Sequence, residues 1–150
     1  MNNRNFIFGA ILTFLGGLLH IAIIIGGPGW YLASGAGEEL AKLASSGSMY
    51  PAFLGSILVC IFFGWSAYAL SGAGILRRLP FLKVCLMLIA VLCIVRGLYG
   101  FFIPILFDNP YVVTLGMWFW VSSSVIWLVI GLFYAAGIRD NWSYISGIKT

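Results

Sequence analysis

The chain has 150 residues, 62% of them hydrophobic and 8% charged. Soluble domains carry about a quarter charged residues, so this composition, with a mean hydropathy of +1.07, excludes a water-facing exterior and points to a membrane. The net charge of +4 does not indicate a nucleic-acid partner, because no basic run exceeds the pair Arg77-Arg78 and no basic face forms.

A bilayer core about 30 Å thick takes about 20 apolar residues as a helix. Four stretches qualify, at about 6–26, 51–70, 79–107 and 111–138. Residues 1–150 therefore read as one domain, an all-α integral membrane four-helix bundle. The runs do not alternate as the strands of an outer-membrane barrel do.

The first span follows Arg4, and its apolar stretch is longer than the 7–15 residues of a cleaved signal peptide. An uncleaved signal-anchor is expected. The segment that follows, GPGWYLASGAGEELAKLASSGSMY, is long for a helix connection, and long connections often carry structure of their own. Within it residues 37–45 predict a short interfacial helix. Glu38 and Glu39 sit in its first turn, where the helix dipole favours negative charge, and Leu40, Leu43 and Ala44 share one face.

YLASGAG at 31–37 recurs as YALSGAG at 68–74. Aligning the spans before the two copies matches nothing but the motif, so it reads as turn chemistry at membrane exits rather than an inverted repeat. The second copy opens a short turn, with Pro80 expected at a first helical position of the third span. FDNP at 107–110 forms the last turn between spans.

Charge sets the orientation. Arg4, Arg77, Arg78, Lys83, Arg139 and Lys149 all fall on one side, while Lys42, Glu38, Glu39 and Asp108 fall on the other. By the positive-inside rule both termini are cytoplasmic. Trp30, Tyr31, Tyr50, Tyr111, Trp118 and Trp120 read as an outer aromatic belt, and Trp65, Tyr68, Tyr134 and Trp142 as an inner one.

Two ionisable residues lie inside spans, His20 and Arg96, and such residues are functional candidates by default. Counted from Phe6 and Pro80, they rise roughly 21 Å and 24 Å, a shared depth in the outer half. Arg96 offers a planar fork of donors suited to carboxylate or phosphate. Gly97 and Gly100 leave room beside it, and Tyr99 can add a hydroxyl. Two fates are open to Arg96: inward pairing with Glu38, Glu39, a helix end at Gly26–Gly29 or an acidic ligand, or snorkelling to the headgroups. His20 suits a directional hydrogen bond, with Ser56 or Tyr99 as partners. One histidine without an intramembrane carboxylate makes no metal site, and no cofactor is expected.

The remaining chemistry is sparse. Cys60, Cys85 and Cys93 form no CxxC pair and read as small apolar residues. Ser122-Ser123-Ser124 has no acid-base partner and reads as serines bonding back to helix carbonyls. Small residues such as Gly9 with Gly16, Ala10 with Gly17, Ala52 with Ser56 and Gly131 with Ala135 recur at helix-packing intervals.

GGPGWY at 26–31, GAGEELAKLA at 35–44, YALSGAG at 68–74 and RRLP at 77–80 together resemble a group of small bacterial inner-membrane proteins with four transmembrane helices. The likeness covers roughly residues 16–100. It implies a bacterial inner-membrane location and the four-helix architecture, and it carries no activity. The intramembrane glutamate of small multidrug exporters, the paired cysteines of disulfide-forming membrane enzymes and the Arg/Glu/Asn pattern of glutathione-using membrane transferases are missing.

The function expected is therefore a non-enzymatic membrane protein with an outer-half site for an anionic group, a lipid headgroup or a partner protein. Arg96 would supply charge and His20 a hydrogen bond, with Tyr99 beside them. Trp30, Tyr31, Glu38 and Glu39 would belong to a lid. Membrane lipids are the expected partners, along with a homo-oligomer or another membrane protein. The alternatives are a small oligomeric transporter and a lipid-modifying enzyme.

Overall fold

The computed structural model describes residues 3–107 and 110–147. Asp108 and Asn109 of the FDNP turn lie outside the described residues with Lys149, as does the side chain of Tyr111. Seven helices are described: α1 Arg4–Gly26, α2 Pro28–Ala33, α3 Glu38–Ser45, α4 Tyr50–Gly72, α5 Leu82–Leu106, α6 Pro110–Asp140 and α7 Trp142–Ser146. Helices α1, α4, α5 and α6 are long and apolar enough to cross a membrane, and together they form the helical bundle of a multi-pass membrane protein. No strand occurs among the described residues.

The exterior confirms the solvent. Leu88, Leu92, Val95, Leu98 and Phe102 of α5 are all exposed, an apolar surface that a water-soluble monomer does not carry. Facing lipid, these side chains need no cover.

The spans pack as two antiparallel pairs. The most extensive contacts join α1 to α4 and α5 to α6, and the pairs meet mainly through α1 and α6. One end of the bundle, here the terminal end, carries the start of α1, the α4–α5 turn and α7. The other, the capped end, carries α2 and α3.

Small residues set these approaches, because helices in lipid associate through packing rather than hydrophobic burial. A Cβ at Gly97 would lie 2.8 Å from the Leu128 backbone nitrogen, and one at Gly131 would lie 2.9 Å from that of Ile94. Both glycines let α5 and α6 touch backbone to backbone.

The buried core lies in the terminal half. Phe6 is fully buried and fills space left by Gly72 and Gly137. Leu82, Leu86, Ile89, Cys93, Ile130 and Tyr134 join the same cluster. Tyr134 was expected in an inner aromatic belt. Instead it is completely buried, because its hydroxyl donates to the Trp65 carbonyl at 2.9 Å and lies 3.3 Å from Thr13 Oγ1. Trp120 likewise is buried rather than interfacial. Its indole N–H reaches back 3.3 Å to the Val112 carbonyl.

Breaks in the helices account for the other departures from the sequence reading. Pro80 is not a first helical residue: Phe81 takes a left-handed conformation, φ 53° and ψ 25°, and α5 begins only at Leu82. In α6, Gly116 has φ 76° and ψ 158°, a combination open only to glycine. It separates one short turn from the long body of the helix. α5 also holds Pro104 in its interior. The helices α2 and α7 were not foreseen. α2 starts with Pro28 in its first turn after Gly27 at φ 73°. α7 is docked by the Arg78 guanidinium donating to the Ile145 carbonyl at 2.8 Å and by Lys83 Nζ over the Trp142 ring at 4.2 Å.

Candidate functional site

Arg96 lies 14 residues past Leu82 and 10 before Leu106, roughly 21 Å and 15 Å along the helix. That is near the middle of α5. The sequence reading counted from Pro80 and so set it further outward. The side chain turns onto α6. Its guanidinium carbon lies 5.9 Å from the centroid of the Trp127 ring, within cation–π range.

The space around Arg96 is set by α5 itself and by α6. Gly97 does not leave room for the guanidinium, because Leu128 occupies that position. Gly100 does. A Cβ there would collide with Arg96 Nη1 and with Ser124 Oγ, so both atoms converge on the point where Gly100 lacks a side chain. Ser124 is fully buried, and its hydroxyl donates to the Trp120 carbonyl at 2.7 Å, which leaves its oxygen as an acceptor. Arg96 Nη1 is itself buried and has no hydrogen-bond partner among the described residues. A buried charged donor without a partner is costly and uncommon in folded proteins.

Four residues further on is Pro104. Proline has no N–H, so the Gly100 carbonyl receives no helical hydrogen bond from position 104. Donor and acceptor capacity therefore sit together at the Arg96–Gly100 turn.

His20 belongs to the same aromatic layer. Its ring stacks on Phe62 at 4.9 Å, Phe62 meets Trp127 at 5.7 Å, and Trp65 closes the group at 6.2 Å from Trp127. His20 and Arg96 thus flank one cluster, with two aromatic rings in the path between them. The expected partners of His20 are different: Nδ1 lies 2.8 Å from the Gly16 carbonyl, and Ser56 donates to its own helix at Ala52. A carbonyl only accepts, so Nδ1 carries the proton, and in the neutral ring Nε2 is left as an acceptor.

The other sequence candidates are not drawn to Arg96. Tyr99 is 48% exposed, on the side of α5 that also shows Val95 and Phe102. Glu38 and Glu39 turn to Lys42, at 3.8 Å and 3.3 Å, and no ion pair joins either to Arg96 among the described residues. Trp30 lies against Gly26 and is half exposed. Tyr31 is buried with Ile23 and Ala41, and burial raises its phenol above the usual 10.0.

These residues instead build the roof of the capped end. Gly35, between α2 and α3, packs against Phe119 of α6. A cleft of about 650 Å³ lies beside it, lined by Leu32, Ala33, Ala41, Lys42, Thr114 and Leu115 among others.

Trp127, Phe62, Ser124 and Pro104 were not in the sequence-derived set. The spacing Arg96, Gly100, Pro104 was available as a signal, since each step is one helical turn. Trp127 and Phe62 were not, because their roles depend on how neighbouring helices register.

No protein-family model, curated protein or solved structure matches the chain.

Proposed function

We propose that the chain is a non-enzymatic inner-membrane protein that binds an anionic group at Arg96. The observation that carries this is the Arg96 guanidinium, turned inward at mid-helix depth with Nη1 buried and unpartnered. Ionisable residues within membrane spans are rare and mark functional sites by default. The Trp127 ring forms one wall of the site and Ser124 and Gly100 another. His20 supports the aromatic layer and offers Nε2 at its edge. The α2–α3 roof stands at the outward end of the bundle in this reading. Both termini are cytoplasmic in this reading, which rests on the basic residues gathered at the terminal end.

The test is retention. The protein is purified in mild detergent, and bound lipids and anions are identified by native mass spectrometry. Wild type is expected to carry an anionic species that Arg96→Met loses about ten- to hundredfold, the range of a charge-assisted hydrogen bond. Equal retention by the two proteins would sink the reading. A co-purifying membrane protein lost in the same variant would shift the ligand from lipid to a partner's carboxylate.

The backbone hydrogen bond missing at Pro104 and the helix break at Gly116 favour a second reading. Broken helices near intramembrane sites are a feature of transporters, so several copies could together carry the same anion across. Arg96-dependent flux in proteoliposomes would support transport over static binding.

A further inference from the structure

Resting on the Arg96 reading, we infer that the ligand is an anion that also brings its own hydrogen-bond donor, of the phosphoglycerol or protonated-phosphate type, and that the Gly100 carbonyl receives that donor.

Each part of the site points to a different half of such a group. Arg96 Nη1, buried and unpartnered, requires an acceptor, and its fixed positive charge selects an anion. The remaining functions at the same turn are acceptors. The Ser124 hydroxyl donates its hydrogen bond to the Trp120 carbonyl, which leaves Oγ as an acceptor. The Gly100 carbonyl lacks the amide that position 104 would supply in an unbroken helix. At the edge of the layer, His20 has Nδ1 on Gly16 and presents Nε2 as a further acceptor when neutral.

An anion with oxygen acceptors alone would satisfy Arg96 and leave the acceptors beside it facing its negative charge. That mismatch is unfavourable where no water competes. A ligand with a hydroxyl beside the charge satisfies both. Sites built to pair a ligand's O–H reject the analogue without it by large factors, since the protein's own polar group is then left unpaired.

Two pairs of probes separate the sources of such a group. For a lipid, the protein in detergent is titrated with phosphatidylglycerol and with phosphatidylmethanol, which share one negative charge while only the first has hydroxyl donors. For a free ion, thermal shift is measured with inorganic phosphate above its second pKa and with sulfate, which share two negative charges while only the phosphate carries an O–H. Preference of about tenfold for the donor-bearing member in the lipid pair assigns the headgroup; the same preference in the ion pair assigns free phosphate. Pro104→Ala supplies the missing amide to Gly100 and is expected to erase the preference.

Binding that depends on Arg96 but does not distinguish the members of either pair overturns this inference and leaves the anion site standing. Binding unaffected by Arg96→Met overturns both. The wild-type comparison decides the matter even where a variant fails to fold.

Discussion

The two halves of the bundle handle polar groups in opposite ways. In the terminal half, Thr13, Ser66 and Tyr134 are buried, and each is hydrogen-bonded across or along the helices. Tyr134 shares its cluster with Phe6 and Leu86, which are completely buried. From mid-helix toward the capped end, Arg96 is buried at Nη1 without a partner, Pro104 removes one backbone hydrogen bond from the otherwise continuous α5, and Gly116 breaks α6. Polar residues that satisfy one another hold helices together. A charged one with a donor left open adds only its contact with the Trp127 ring to that cohesion, so the unpartnered donor calls for another explanation.

The comparison can be broken at its strongest point first. Gly131→Val places a branched side chain against the Ile94 backbone nitrogen. The substitution should cost about 3 kcal/mol, read as a lower SDS fraction at the unfolding midpoint. A near-neutral result would show that the α5–α6 contact is not the mainstay of the packed half.

Gly116→Ala tests the other half. No alanine adopts φ 76° with ψ 158° without about 1–3 kcal/mol of strain. Faster hydrogen exchange near the start of α6, with the Phe6 layer unchanged, is the expected pattern. Loss of protection throughout would mean that the halves are one cooperative unit.

Tyr134→Phe removes the hydroxyl that joins Thr13 to the Trp65 carbonyl. The effect should be smaller, about 1 kcal/mol, because Thr13 keeps its bonds to Gly9 and Ala10. At the bottom of the scale, Glu38→Gln should change stability by less than about 0.5 kcal/mol. Its pairing with Lys42 is solvent-exposed on both sides, and a larger loss would reveal a role for the roof beyond its local helix.

Much of this fold was legible without coordinates, and the reasons are physical. A span must be apolar for about 20 residues whatever its neighbours do, so all four spans could be read within a few residues of their ends. The helix at Glu38–Ser45 was equally local, because dipole-matched acids and an apolar face lie within eight residues. Ser122 and Ser124 do bond back to helix carbonyls as their position implies.

What escaped were features decided by backbone strain or by helix register. Nothing marks Gly116 among the chain's other glycines until the break is seen. Tyr134 and Trp120 read as interfacial because tyrosine and tryptophan usually are. Their burial depends on a carbonyl or a hydroxyl being within reach, which sequence does not display. For the site, Arg96 and His20 were singled out by charge alone. Their aromatic neighbours could come only from packing, and Glu38 and Glu39 were drawn off by the nearer cation Lys42.

Phe81 gives α5 a fixed draught in the bilayer. Its left-handed backbone stops the helix, and its ring is 81% exposed at the level where aromatic side chains prefer the boundary between lipid and water. Moving α5 along the membrane normal would pull that ring into water or push it among the acyl chains. Arg96, fifteen residues on, or roughly 22 Å, is therefore held at its depth from the far end of its own helix.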